Sequence, residues 1–312
     1  MTATISPVAQ YNASTNLTIP VDGELAGFQT GPAPLQAPLQ AMADREAYAF
    51  LALDAQLTWS NRARVAPGGT NNGDFKVFVS PIQVVVLYDG TKWRSFQRAT
   101  ELELTSTNSF SSGTLAADKN YYVYAKVVSD ALAFEVSLTE PDSARMWKNA
   151  TVGTHRFLFS FRTNSSGVAL PMTMEGGTTL YRYSAITNTE LRCLNTTAEA
   201  LASTNLILGR GGLVNKELVP SYARQVYVRS EITTTGNHAN DWTTAYFVSK
   251  DDASGNTVQH DVNATTSNVR SERDFWIECD ASATIQYSLS FTNTDSGDPT
   301  GTLNVYVLGW RG

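Results

Sequence analysis

NYYVYAKVVSDALAFEVSL, residues Asn120 to Leu138, is the stretch that decides the fold class. Leu132, Phe134, Val136 and Leu138 alternate with Ala133, Glu135 and Ser137. Tyr122, Tyr124 and Lys126 share a face opposite Tyr121, Val123 and Val127. A period of two sends successive side chains to opposite faces of a strand, so each run reads as a β-strand with one buried face. Ser129-Asp130 between them is turn chemistry, and the two runs form a hairpin.

The same period extends outward in both directions. Phe157, Phe159 and Phe161 alternate with Leu158 and Ser160, and Phe75 to Val79, Ile82 to Tyr88, Glu101 to Leu104 and Leu180 to Tyr183 read as further strands. Asp89-Gly90, Ser112-Gly113 and Ser166-Gly167 separate them as turns. Residues 57–185 therefore read as an antiparallel β-domain. Residues 186–220 show weak periodicity and contain Gly209-Arg210-Gly211-Gly212, which reads as an irregular connector. Alternation returns after Pro220, in Val226 with Val228, Trp242 to Val248, Phe275 with Ile277 and Cys279, Ile285 to Phe291, and Leu303 to Val307. Strands and turns at this spacing predict a β-sandwich or jelly roll over residues 221–312.

Upstream the pattern differs. Residues 1–34 carry Pro7, Pro20, Pro32 and Pro34 with Gly23, Gly27 and Gly31 between them, and so read as an extended arm. From Pro38 to Gln56 the period is helical. At 100° per residue Leu39, Met42, Ala43, Phe50 and Leu53 fall on one face, with Glu46 inside the stripe. Such a helix, about 28 Å long, would pack on the following β-domain or on two further copies of itself. The expected fold class is thus mainly β. An extended arm and one amphipathic helix (residues 1–56) precede two antiparallel β-sandwich or jelly-roll-like domains.

Charged residues make up 17% of the 312 residues, below the ~25% of an ordinary globular protein. Thr, Ser and Asn stand in their place, a composition suited to strands. With a net charge of −6 and no run of Lys or Arg, nothing is available to neutralise phosphates, so no nucleic-acid partner is expected. No stretch approaches ~20 apolar residues and the first ten residues lack a signal-peptide pattern, so membrane insertion is not expected either. The expected product is made in the cytoplasm.

The search for chemistry returns little. His155, His238 and His260 share no metal-ligand spacing, and Cys193 and Cys279 read as small buried hydrophobes. No metal or cofactor is expected. The Gly209 to Gly212 run lacks the Lys and Ser/Thr of a phosphate loop, and Gly-x-Ser-x-Gly is absent. Glycoside hydrolysis needs two carboxylates ~5–9.5 Å apart. Asp241, Asp251, Asp252, Asp261, Glu278 and Asp280 are the available candidates, but acidic residues at strand ends are ordinary turn formers. No catalytic residue is assigned. Trios of the form Asn-x-Ser/Thr begin at Asn12, Asn16, Asn149, Asn164, Asn195 and Asn263, and the abundance of these residues explains them. Exposed aromatics, Trp242 and Tyr246 in particular, with Asp251 and Asp252 nearby, are the candidate contacts to a sugar or receptor; Trp276 and Trp310 belong to the same group, at least half of which should be core.

Two stretches carry a resemblance. Ile19-Pro20-Val21-Asp22-Gly23-Glu24, followed by Met42-Ala43-Asp44-Arg45-Glu46-Ala47-Tyr48, resembles the N-terminal "Pro, Asp, Gly" arm and "Ala-Leu-Ala-Asp-Arg-x-Ala-Tyr" segment of tailed-phage fibre and appendage proteins, with Glu46 where Thr is usual. Asn120 to Tyr124, Glu140-Pro141-Asp142, His155 to Leu158 and Phe161 to Gly167 resemble a recurrent phage module. Together they cover about half the chain. The resemblance implies a non-enzymatic virion protein, most naturally a homotrimeric tail fibre or appendage subunit. Pro20, Asp22, Gly23, Leu39, Met42, Ala43, Asp44, Arg45, Phe50 and Leu53 would anchor it to other virion proteins and hold the trimer. The C-terminal domain would meet host-surface polysaccharide. A capsid head fibre or decoration protein is the alternative, and a polysaccharide-degrading spike stands third.

Overall fold

The computed structural model describes residues 63–67, 75–79, 82–89, 93–98, 100–105, 110, 114–142, 147–148, 154–175, 177–182, 188–197, 200–209, 217–235, 242–249, 257–263, 269–292 and 300–312. They fall into two compact units.

The first takes in Val79–Leu102 and Tyr122–Phe159. Strands β3 (Ile82–Tyr88) and β4 (Trp93–Arg98) form a hairpin in which Asp89 pairs with Arg94 at 2.5 Å. β6 (Asn120–Val128) lies between β7 (Ala131–Ser137) and β8 (His155–Arg162); the first two residues of β6 and the last three of β8 belong to the second unit. The β6–β7 hairpin closes on Val128↔Ala131, with Ser129 (φ 47°) and Asp130 (φ 64°) both left-handed. That is a type I′ turn, whose twist matches the flanking strands. Phe134 and Val136 are buried as their alternation requires, while Asn120 to Ala125 are buried at every position. A strand between two others and covered on both faces does not show a polar side.

The second unit takes in Arg62–Phe78, Glu103–Tyr121 and Ser160–Gly312. It is organised around β18 (Thr300–Arg311). Along one side β18 pairs with β13 (Gln225–Thr235), which pairs in turn with β16 (Val269–Glu278). Its other side is shared. β11 (Arg192–Thr196), which follows the short helix α1 (Asn188–Leu191), covers Leu303 to Tyr306. β10 (Thr178–Tyr181) covers Gly309 to Arg311 and leads on through β9 (Met172–Glu175), β1 (Ala63–Pro67) and β2 (Phe75–Val79) to β5 (Leu102–Leu104).

A second sheet runs in the order β12-β17-β14-β15, from β12 (Ala200–Ile207), β17 (Thr284–Thr292), β14 (Trp242–Ser249) and β15 (Val258–Asn263). It faces β11-β18-β13-β16. From β11 the chain crosses to β12, returns to β13, crosses to β14 and β15, returns to β16, crosses to β17 and ends in β18. Two four-stranded layers wound in that order make a jelly roll. Val226, Val228, Ile232, Ala245, Phe247, Ile285, Leu289, Leu303, Val305 and Val307, all at 0% exposure, fill the space between them. Burying each of the larger side chains contributes about 1.5–3 kcal/mol.

The expected fold class is corrected here. The architecture is mainly β, built from several antiparallel sheets, and the described strands do not divide into two successive sandwich domains. Helix among the described residues amounts to the four residues of α1. Strands before residue 105 share a sheet with strands after residue 172. Period-two alternation identifies a strand without naming its partner, and here the partners are distant in sequence. The expected arm and helix, with Pro20, Asp22, Gly23, Leu39, Met42, Ala43, Asp44, Arg45, Phe50 and Leu53, lie outside the described residues.

Candidate functional site

Along β14 the odd positions Thr243, Ala245, Phe247 and Ser249 are buried, and the even positions Trp242, Thr244, Tyr246 and Val248 form the opposite row, in which Thr244 is itself buried. The ladder sets its neighbours. Trp242 stands between Asn263 and Thr292, Thr244 between Asp261 and Ser290, and Tyr246 between Gln259 and Ser288. The outer face of this sheet therefore carries two aromatic rings amid amides, hydroxyls and one carboxylate. Trp242 keeps 40% of its surface exposed, while Tyr246 is half-buried. Four residues on one strand put the two rings ~13 Å apart.

Asp261 is held in place on this face. Thr244 Oγ1 donates to its Oδ1 at 2.8 Å, and Gln259 Nε2 donates to Oδ1 at 2.9 Å and Oδ2 at 2.7 Å. A carboxylate offers about four lone-pair positions, so an acceptor remains for an incoming hydroxyl. At the far edge Gln286 Nε2 donates to Asn205 Oδ1 at 3.1 Å. The arrangement can stack a sugar ring on an indole and accept its hydroxyls. Nothing in it resembles a nucleophile–base pair.

Of the sequence-level candidates, the structure brings Trp242 and Tyr246 onto one face. Asp251 and Asp252 lie outside the described residues. Asp261 is legible in the sequence as an acid but not as a neighbour of the aromatics. Thr244, Gln259, Ser288 and Ser290 carried no signal of their own, because only the pairing of β14 with β15 and β17 assembles them.

The remaining reactive groups have structural partners. Asp280 accepts the backbone N–H groups of Ser282 and Thr284, each at 2.8 Å, and so closes the β16–β17 turn. Buried His260 bridges the two sheets of the sandwich, Nδ1 to Ser230 Oγ at 2.9 Å and Nε2 to Ser271 Oγ at 3.0 Å. Burial, reinforced by Arg273 and opposed by Asp261, lowers its pKa below the ordinary histidine value. Cys193 and Cys279 are buried thiols outside any disulfide, and burial pushes the Cys193 thiol up, away from reactivity. Among the described residues no group of three or more His, Cys, Asp or Glu could hold a metal ion, and no helix is long and apolar enough to cross a membrane.

No family model matches this chain. No curated protein matches it either. Among solved structures, a Bacillus thuringiensis Cry1Da tryptic core variant is 8% identical over 80% of this chain and 51% of its own, with a TM-score of 0.21. A structure of the infectious bursal disease virus Gx strain is 11% identical over 80% of this chain and 68% of its own, with a TM-score of 0.19. The chain spans about half the length of the first. At such scores neither likeness bears on fold or function.

Proposed function

We propose that this chain is a non-enzymatic structural protein of a tailed-phage virion, a tail-fibre or appendage subunit that meets host-surface polysaccharide. The observation that carries the adhesive part is the outer face of β12-β17-β14-β15, where exposed Trp242 and half-buried Tyr246 stand beside the hydrogen-bonded Asp261. Jelly rolls serve capsids and lectins alike, so the fold alone decides nothing and the face has to. Hydroxyl and amide surroundings with one carboxylate suit a sugar, and a stacked indole supplies most of the contact. The virion assignment rests on the resemblance of Ile19 to Tyr48 and of Asn120 to Gly167 to phage appendage proteins. In this reading residues 1–56 hold the subunit to other virion proteins. Three copies on one particle turn weak single-site contacts into firm attachment.

Binding of the purified protein to host cells, measured with Trp242→Ala against the unaltered chain, tests the adhesive part. Loss of about tenfold in apparent affinity with unchanged circular dichroism is expected. Equal binding by both proteins refutes the assignment of this face. Gold-labelled antibody against residues 221–312 on intact particles tests location. Label on the tail or its fibres supports an appendage, and label over the head makes the chain a decoration protein instead.

A further inference from the structure

A second concavity lies at the end of the jelly roll where β13 begins and β14, β16 and β18 end. It has a volume of about 510 Å³ and is lined by Arg224, Gln225, Ser249, Glu278, Cys279 and Arg311 with Gly312. Pockets of ~300–1,000 Å³ are the usual range for small ligands. Its charged side chains are two guanidinium groups and one carboxylate, in a chain whose net charge is −6.

The lining is preorganised. Arg311 lies 4.7 Å from the centroid of the Trp276 ring, which is itself stacked on Tyr227 at 5.0 Å. Arg311 Nε also donates to Gln225 Oε1, and Gln225 Nε2 donates to Glu278 Oε1 at 3.3 Å. Stacking and the Nε bond leave the two Nη groups of Arg311 without a protein acceptor among the described residues. Arg224 is fixed through its backbone, its N–H donating to Arg311 O at 2.9 Å and its carbonyl accepting from Cys279 N at 2.9 Å. Its exposed guanidinium has no ion-pair partner among the described residues.

We propose that this pocket binds a polyhydroxylated carboxylate, an acidic monosaccharide of the uronic-acid kind. Planar guanidinium forks match a carboxylate in bidentate geometry. Glu278 accepts hydroxyl protons, and Ser249 and Gln225 supply further hydroxyl and amide contacts. An inorganic anion would satisfy the arginines and leave Glu278 facing like charge. The pocket is separate from the aromatic face: Trp242 is seven residues before Ser249 on β14, ~23 Å along the strand. Either site can fail without the other.

Saturation-transfer difference NMR on the full chain carrying Trp242→Ala, which disables the aromatic face, tests the assignment with sodium glucuronate, glucose and inorganic phosphate as probes. Saturable binding of glucuronate is expected, with glucose at least tenfold weaker and phosphate unable to displace glucuronate at equal concentration. Adding Arg224→Gln, at an exposed position, to that chain should weaken glucuronate about tenfold. Glucose binding as well as glucuronate, displacement by equimolar phosphate, no saturable binding, or full binding by Arg224→Gln would each overturn the proposal.

Discussion

Replacing Glu135 with Gln should destabilise the first unit in a way that depends steeply on pH. Glu135 points between Lys126, at 2.8 Å, and Lys148, with His155 Nε2 at 3.4 Å. Burial alone would raise its carboxyl. Hydrogen bonds from both lysines and their charges outweigh that and hold it at about 2. An unfolded glutamate titrates near ~4.3, so the gap corresponds to at most about 3 kcal/mol. The carboxylate keeps 20% of its side-chain surface, and solvent screening brings the expected contribution to about 1–2 kcal/mol. The folded value is depressed, so this stability is fully present above the unfolded value. It is lost as pH falls from there through about 2, with roughly half gone by pH 3. Glu135→Gln should therefore cost about 1–2 kcal/mol at pH 7 in urea denaturation and roughly half as much at pH 3. A cost that is the same at both values, or none at pH 7, would show that the cluster is not ionic in the sense argued.

Other outcomes follow from single contacts. Arg162 is fully buried and pairs with Asp118 at 2.8 Å, so Asp118→Asn, which tolerates the left-handed backbone there, should cost about 3 kcal/mol by leaving a buried charge unmatched. Thermal unfolding measures it, and a midpoint shift under about 2 °C would contradict it. Gly167 has φ +75°, and a Cβ there would meet the Leu115 carbonyl oxygen at 2.5 Å; Gly167→Ala should lose about 1–3 kcal/mol in denaturant titration. Ser129→Asn, which suits the left-handed position and keeps the Arg94–Asp130 contact at 2.9 Å, should stabilise the β6–β7 hairpin by about 0.5 kcal/mol, read as slower amide exchange of Val127 and Val128. Desolvation lowers His260, so the fold favours its neutral form. The stability tied to that state is present above ~6.5 and falls as the pH drops below it, and His260→Gln should flatten that part of the profile.

The hairpin at Asn120 to Leu138 was legible because alternation and turn chemistry are both local. The Ser-Asp pair even occupies the two left-handed positions that a two-residue loop requires. The aromatic row of β14 was half legible. Trp242 and Tyr246 are spaced for one face, but the polar side chains between them come from other strands. β11 and β12 were hidden inside the stretch read as a connector. Both sit at sandwich edges, where one neighbour and a wet outer face, as at exposed Thr204 and Asn205, dilute the apolar alternation. The sharing of one sheet by β1, β2, β5 and the late strands was beyond reach, since register between distant segments leaves no local mark.

The distribution of charge around the sandwich argues for a division of labour between its faces. β16 is an edge strand, and Arg270, Glu272, Arg273, Asp274 and Glu278 are all exposed on it. Arg229 holds Asp274 at 2.7 Å, and Arg270 reaches both Glu231 and Glu272. Charged side chains along an open edge discourage another strand from adding to it. Among the described residues the outer face of β12-β17-β14-β15 carries one charged side chain, Asp261, and its exposed Trp242 is a large apolar group in largely uncharged polar surroundings. A surface that only needed to stay soluble would gain from charge there as β16 does. Charge concentrated along the edge, with an aromatic row and a single hydrogen-bonded carboxylate on the broad face, is the pattern that the proposed contact with a hydroxylated partner requires.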